Sequence, residues 1–336
     1  MLDAPDERSP MGDAGRVLVT GANGFVGRHL CSTLRSAGHT VRAAVRRESA
    51  APAAAEPAVI GDIGPSTAWH DALDGVDTVI HLAGRAHVLH DPASAAHLYE
   101  QTNALGTERL AAAAAECGVR RFVFLSSIKV NGEETSGRAY AAADRPDPKD
   151  AYGVSKWHAE RHVWRIAAKS RLEGVVVRPP LVYGPGVRAN FLRLMRWVER
   201  GWPLPLGSIH NARSLVSVWN LCDLLANVVR NPRAPGGTWL VSDGQDLSTT
   251  ELVRRLGAAM HRPVTLLPIP AGVLAAGAAL LGRRAEAARL CGSLVVDIAA
   301  TVAELGWTPP VPVDEGLDRT AAWYLGEARA PAPAVE

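Results

Sequence analysis

Three features of the sequence predict an α/β fold whose main sheet is parallel and covered by helices on both faces. Short apolar, β-rich runs alternate with helical runs from residue 16 to about residue 180. The spacing leaves room for right-handed β-α-β crossovers between neighbouring parallel strands. Beyond about residue 185 the rhythm breaks, Pro and Gly rise, and strands become short and scattered, which points to a smaller C-terminal lobe.

The first strand is "RVLVT" (16–20). Val26, Leu30, Leu34 and Ala37 then recur at helical spacing, and Gly38 is placed to end that helix. "TVRAAV" (40–45), "AVIGDI" (58–63) and "VDTVIHLAG" (76–84) read as the next three strands. "NALGTERLAAAAAECG" (103–118) is an alanine-rich helix closed by Gly118. "RFVFLSS" (121–127) is a fifth strand, residues 154–168 are helical, and "GVVVRPP" (174–180) is a sixth strand. "LVSV" (215–218) and "TWLVS" (238–242) are short strands of the later region. The expected organisation is a disordered leader at 1–15, a nucleotide-binding domain at 16–185, and a disordered tail at 327–336. Residues 186–326 form mainly a substrate-binding α/β lobe, with some segments returning to the main sheet.

Composition excludes several functions. The 336 residues carry 36 Lys and Arg against 34 Asp and Glu, a net charge of +2, which provides no footprint for nucleic acid. Cys31, Cys117, Cys222 and Cys291 are far apart and form no zinc or disulfide pattern, so free thiols in a cytoplasmic protein are expected. Most histidines, including His87, His90 and His97, lie in the first half without metal-ligand spacing, and no metal site is expected. The stretch 264–282 is apolar and uncharged, but Pro268 and Pro270 leave too short a remainder to cross a bilayer. It reads as a short strand, a Pro-rich turn and an Ala/Leu helix packed in the protein, not as an integral membrane span.

"TGANGFVG" (20–27) follows the first strand and opens the first helix. Gly21 permits a tight turn, Gly24 lets backbone approach a pyrophosphate, and Gly27 permits close helix packing. The helix N-terminus then offers free N–H groups to phosphate. This is the signature of a Rossmann-type doubly wound sheet that binds a dinucleotide. An acidic residue at the end of the second strand would bind the ribose of NAD, whereas arginine can accept the 2′-phosphate of NADP. This chain has Arg46 there, so NAD and NADP both stay open. Asp62, ending the third strand, can meet the adenine amino group.

"YGVSK" places Tyr152 and Lys156 four residues apart on one helix face. A nearby ammonium favours the phenolate, and a tyrosine so tuned can take a proton from an alcohol while hydride leaves its carbon. Ser126 and Ser127 stand at the carboxyl end of the fifth strand, where such sheets bind ligands. Ser127 would hydrogen-bond the reacting oxygen beside Tyr152, with Ser126 supporting the strand end.

With these stretches, and with "GDI", "HLAG" (81–84), "RPPLVYGPG" (178–186), "RSLVSV" (213–218), "LCGSLVVD" (290–297) and "LGWTPP" (305–310), residues 16–325 resemble the extended short-chain dehydrogenase/reductase family. The likeness is to its NAD-dependent epimerase/dehydratase type, acting at C4 of UDP-hexoses. The resemblance implies Ser127, Tyr152 and Lys156 as the catalytic set. It implies cofactor contacts from Gly21, Asn23, Gly24, Phe25, Val26, Gly27, Asp62, Ile63, Leu82, Ala83, Gly84, Tyr152, Lys156 and Pro179, with Pro180 beside the nicotinamide end, in addition to Arg46. Asn190 and Arg213 would face the diphosphate of a UDP-sugar, besides the contact of Ser127. Relatives often form homodimers through two helices per subunit, which makes 103–117 and 154–168 the candidate helices here.

Two departures matter. Asn131 stands where the family often has tyrosine, which puts a local substrate contact in doubt. Ile128 and Lys129 stand where sugar dehydratases of the family carry Asp and Glu, which argues against dehydration. The leading expectation is C4 epimerisation of a UDP-hexose or UDP-N-acetylhexosamine through a 4-keto sugar. The alternatives are an NAD(P)H-dependent 4-reductase of a UDP-4-keto-6-deoxy sugar and a non-catalytic dinucleotide sensor.

Overall fold

A computed structural model of the chain describes residues 15–53, 55–86, 92–280, 282 and 284–329. The main sheet has seven strands in the order β3-β2-β1-β4-β5-β6-β9. They are β1 (Arg16–Thr20), β2 (Thr40–Val45), β3 (Glu56–Val59), β4 (Thr78–His81), β5 (Arg121–Leu125), β6 (Glu173–Arg178) and β9 (Thr238–Leu240). Every pairing between neighbours is parallel. The expected doubly wound sheet is therefore present. Its order reverses between β1 and β4, which opens a crevice beyond the carboxyl ends of those two strands.

Burial explains why the inner strands are nearly uninterrupted apolar runs. A parallel sheet covered on both faces has no solvent side. All four residues of β4 are buried, as are the last five of β6. The helices of the sheet are α1 (Phe25–Ser36), α2 (His70–Leu73), α3 (Pro92–Tyr99), α4 (Gly106–Glu116), α5 (Ala151–Ala167), α7 (Val218–Arg230) and α11 (Ala299–Leu305). On one face Leu30 and Leu34 of α1 meet Leu221 and Leu225 of α7 in a core with Val17, Val19 and Val177. On the other, Leu110 and Ala114 of α4 and Ala159 and Val163 of α5 pack on Leu18, Val79 and Phe122.

A second core is built by α6 (Ala189–Arg200), α8 (Thr249–Ala259) and α12 (Val313–Arg329), through Phe191, Met195, Val253, Leu256, Leu317 and Ala321. The parallel pair β7 (Leu181–Tyr183) and β8 (Leu215–Ser217) contributes to both cores, Val216 to the first and Tyr183 and Leu215 to the second, while β9 joins the main sheet beside β6. Two helices, α9 (Ala271–Leu280) and α10 (Arg284–Cys291), complete the later region.

Several boundaries differ from expectation for local reasons. β3 ends at Val59, short of Asp62, because Gly61 takes a left-handed φ of 67° that turns the chain. β6 ends at Arg178 because Pro179 and Pro180 have no N–H to give a neighbouring strand. The helix expected from 103 begins earlier, as a π-helical run Glu100–Leu105 that leads into α4. α12 reaches Arg329, three residues into the stretch expected as a disordered tail. The remainder of that tail, and the leader up to residue 14, lie outside the described residues. The Ala/Leu helix expected within 264–282 forms as α9, but it packs on one side only: Leu274 is half-buried against the second core and no residue of the helix is fully buried. Among the described residues no helix is long and apolar enough to cross a membrane.

Candidate active site

The glycine turn is set by close approach. Gly21 has φ 68°, and a Cβ there would stand 2.9 Å from the backbone N of Ala83 on the other side of the crevice. A Cβ on Gly27 would lie 2.2 Å from the Gly21 carbonyl oxygen, so only glycine lets α1 pack onto the turn. Gly24 caps α1 with backbone alone, and the first turn carries no acidic side chain. The first N–H groups of α1 therefore face the crevice without a side-chain acceptor, which suits a pyrophosphate. Asn23 and Gly24 are exposed in this turn, while Phe25 and Val26 pack against the apolar cores behind it.

The opposite wall follows β4. The Ala83 N–H donates to Thr20 Oγ1 at 3.2 Å, and Thr20 Oγ1 lies 2.6 Å from His81 Nδ1. His81 Nε2 meets Thr107 Oγ1 at 2.9 Å. Burial, with the Lys156 charge beside it, pulls the His81 imidazole down to about 3, so the ring is a neutral brace. Leu82 is half-buried, and a Cβ on Gly84 would lie 3.1 Å from Asn103 Oδ1 and 3.5 Å from Lys156 Nζ. Asn103 Oδ1 accepts from the Arg85 N–H at 2.8 Å, and its Nδ2 donates to Ser155 Oγ at 3.0 Å. Ile63 is half-buried against the α4 face, whereas Arg46 Nε pairs with Asp62 Oδ1 at 2.8 Å, both side chains largely exposed.

Ser127, Tyr152 and Lys156 meet at the carboxyl end of β5. Asp150 caps α5 by accepting from the Gly153 N–H at 2.7 Å, which fixes the turn carrying Tyr152. Burial pushes the Tyr152 phenol up to about 12; Asp150 adds to the rise, and the hydrogen bond with Ser127 opposes it. The Tyr99 ring stands edge-on to Tyr152 with centroids 5.9 Å apart. Lys156 is buried, donates to the Leu125 carbonyl at 2.8 Å and lies 4.5 Å from the centre of the Phe124 ring. Burial pulls its ammonium down to about 8, and the Glu160 carboxylate opposes that fall.

Glu160 belongs to a buried network. Its two oxygens accept from Arg178 Nε at 2.9 Å and Nη2 at 2.6 Å. Ser126 Oγ also donates to Glu160, which is how this serine supports the strand end. Arg178 Nη1 donates to Asn131 Oδ1 at 2.9 Å, and Asn131 Nδ2 donates to the Ala141 carbonyl at 3.0 Å. Asn131 is thus a buried link in the scaffold, at 2 % exposure. Pro179 and Pro180 are buried beside it, and the Pro179 carbonyl accepts from the Ile128 N–H at 3.0 Å. Ile128 is a core residue and Lys129 is held by Glu133 and Asp150, so no carboxylate occupies the positions of the dehydratase acids.

Two expected substrate residues lie outside this cluster. Asn190 is exposed at the start of α6, its Oδ1 accepting from Arg193 at 2.8 Å. Arg213 is half-buried and donates to the Gly292 carbonyl at 2.9 Å. Burial lowers its guanidinium, Glu134 opposes and Arg289 assists. Among the described residues no group of His, Cys, Asp and Glu could hold a metal; His97 is exposed, and His87 and His90 lie outside the described residues. Sequence reading missed Thr20, His81, Asn103, Glu160 and Arg178. Thr20, His81 and Arg178 stand in quoted motif stretches and Glu160 lies one helical turn after Lys156, but none was given a role; Asn103 had no signal.

The profile of the "NAD dependent epimerase/dehydratase family" matches residues 17–241. This chain belongs to that family. The NAD-dependent epimerase/dehydratase family member described here is 43% identical to a UDP-glucose 4-epimerase of Vibrio cholerae, over 92% of this chain and 95% of that protein. It is 27% identical to an N-acetyl-alpha-D-glucosaminyl-diphospho-ditrans,octacis-undecaprenol 4-epimerase of Escherichia coli O157:H7, over 93% and 96% of the two chains. Among solved structures it resembles MoeE5 in complex with UDP-glucuronic acid and NAD, with TM-score 0.74 and 29% identity over 93% of this chain and all (100%) of that one. The likeness to the family expected from the motifs is borne out.

Proposed function

We propose that this chain interconverts the C4 epimers of a UDP-hexose and keeps NAD through each turnover. The observation that carries the reading is the convergence of Ser127, Tyr152 and Lys156 on the edge of the crevice, with Lys156 Nζ close behind Gly84. The identity to a UDP-glucose 4-epimerase and the likeness to a UDP-sugar and NAD complex support the substrate and the cofactor.

NAD, when bound, supplies a reversible acceptor for the C4 hydride. The chain does the rest. The α1 N-terminus and Gly21 hold the pyrophosphate. Ser127 holds the 4-oxygen against Tyr152, which takes the hydroxyl proton and later returns it. The Lys156 ammonium and an added positive charge near the phenol favour the phenolate that burial alone disfavours. Asn190 and Arg213 serve the diphosphate, an arginine fork being suited to that group. The four free cysteines fit a reducing, cytoplasmic setting.

A one-way reductase is disfavoured by Arg46. That reading leaned on Arg46 as a ligand for the 2′-phosphate of NADP. Here its Nε pairs with Asp62 Oδ1 at 2.8 Å, so the guanidinium already has a carboxylate partner. The test is to denature the purified protein and quantify the nicotinamide nucleotide released. Near-stoichiometric NAD is expected. An empty protein that takes up NADPH and consumes it on a 4-keto sugar would overturn the proposal.

A further inference from the structure

We propose that the arm formed by residues 262–280 docks the protein on the surface of a bilayer containing anionic lipid. This inference is independent of the catalytic reading. Six large hydrophobic side chains are exposed among the described residues, and four of them, Trp202, Leu267, Val273 and Leu280, gather on this arm and the strand-like segment beside it. Trp202 belongs there because the chain that follows it runs along the arm. Leu204 N donates to the Thr265 carbonyl at 2.9 Å, and Gly207 N to the Leu267 carbonyl at 2.9 Å.

A helix that is apolar all round lies in a protein core or in lipid. α9 is such a helix, yet it buries none of its residues, and Leu280 is 90% exposed. Its ten residues span about 15 Å, half of a bilayer's hydrocarbon thickness. It therefore suits the interface and does not span.

Charge decides the occupant. No charged residue occurs from 263 to 282, whereas Arg262 precedes the stretch and Arg283 and Arg284 follow it. Basic residues flanking an apolar stretch in the sequence favour an anionic headgroup layer while the apolar middle enters the acyl boundary. Trp202, with the Arg200 guanidinium 5.2 Å from its ring, has the composition of an interfacial anchor. A parallel pairing of α9 with a second copy would bring the arginines that follow it in the sequence together, whereas phosphate headgroups attract them. α10 leads from the arm to Gly292, whose carbonyl binds Arg213. A seated arm would hold that residue within one short helix of the lipid surface.

The test is flotation of the full chain with vesicles of equal parts phosphatidylethanolamine and phosphatidylglycerol, beside vesicles of phosphatidylcholine alone. Binding to the anionic vesicles is expected, weakening with salt. The double variant Val273→Glu, Leu280→Glu should lower it about tenfold or more, with thermal midpoint unchanged, because both side chains are exposed. R283E with R284E should weaken it on anionic vesicles only. Failure to float with anionic vesicles, or equal flotation of the V273E/L280E variant, would overturn the proposal. So would a dimer in sedimentation velocity that V273E/L280E dissociates without any vesicle binding in the parent chain.

Discussion

Tyr152 and Lys156 are each held in the state that burial favours, a protonated phenol and a weakened ammonium. Catalysis needs the phenolate, so the pair works only when positive charge is added beside it. Tyr152→Phe should lower kcat by about 10²–10⁴-fold while NAD content stays the same. Full sugar turnover in that variant would contradict the proton-transfer role given to Tyr152. The Lys156 ammonium is lost above pH about 8, so the alkaline limb of kcat/KM should fall there. Its folded value lies below the ordinary 10.5, so the unfolded chain binds more protons between these values. Folding then carries a burial cost below pH 8 that is relieved as pH rises towards 10.5. Lys156→Met should remove that slope from denaturation midpoints measured across this range. The Tyr-x-x-x-Lys spacing was legible because one helix turn places both residues. The role of Asn131 was not. Its partner Arg178 is 47 positions away in the chain, and only the fold shows that Asn131 is a buried link in the scaffold.

Elements carry the site through packing that tolerates little change. A Cβ on Gly27 would collide with the Gly21 carbonyl, so Gly27→Ala should destabilise the chain by about 1–3 kcal/mol. It should also release NAD, read by the nucleotide content of the purified variant. α5 and β6 are joined by the Glu160–Arg178 pair, both ends buried. Glu160→Ala leaves the guanidinium unpaired and should cost about 3–5 kcal/mol in chemical denaturation, whereas a loss below about 1 kcal/mol would contradict that picture. The glycine turn and the helices around it were readable because glycine spacing and apolar periodicity are local. The burial of α9 was not, since an Ala/Leu run has the same pattern whether protein or lipid covers it. The end of β3 was missed because a run of apolar residues does not announce the left-handed turn at Gly61.

At the scale of the molecule, strand order is what makes the parts one site. Placing β4 beside β1 sets Ala83 against Gly21, and placing β5 next brings Ser127 and α5 to the same crevice. Strand alternation predicted the sheet and its ligand edge. It led to the expectation that a segment beyond residue 185 returns to the sheet, but not that the segment is β9 or that it lies beside β6, because that pairing is non-local. A chain stripped of nucleotide should gain about 2.7 kcal/mol of stability when NAD is restored at a hundred times its Kd, seen as a raised denaturation midpoint. The most direct measurement is to incubate the purified protein with UDP-galactose, adding no nucleotide, and follow UDP-glucose. The account predicts conversion to a stable mixture of the two sugars, abolished in Tyr152→Phe. No conversion of UDP-galactose or UDP-N-acetylgalactosamine by NAD-loaded protein would contradict it.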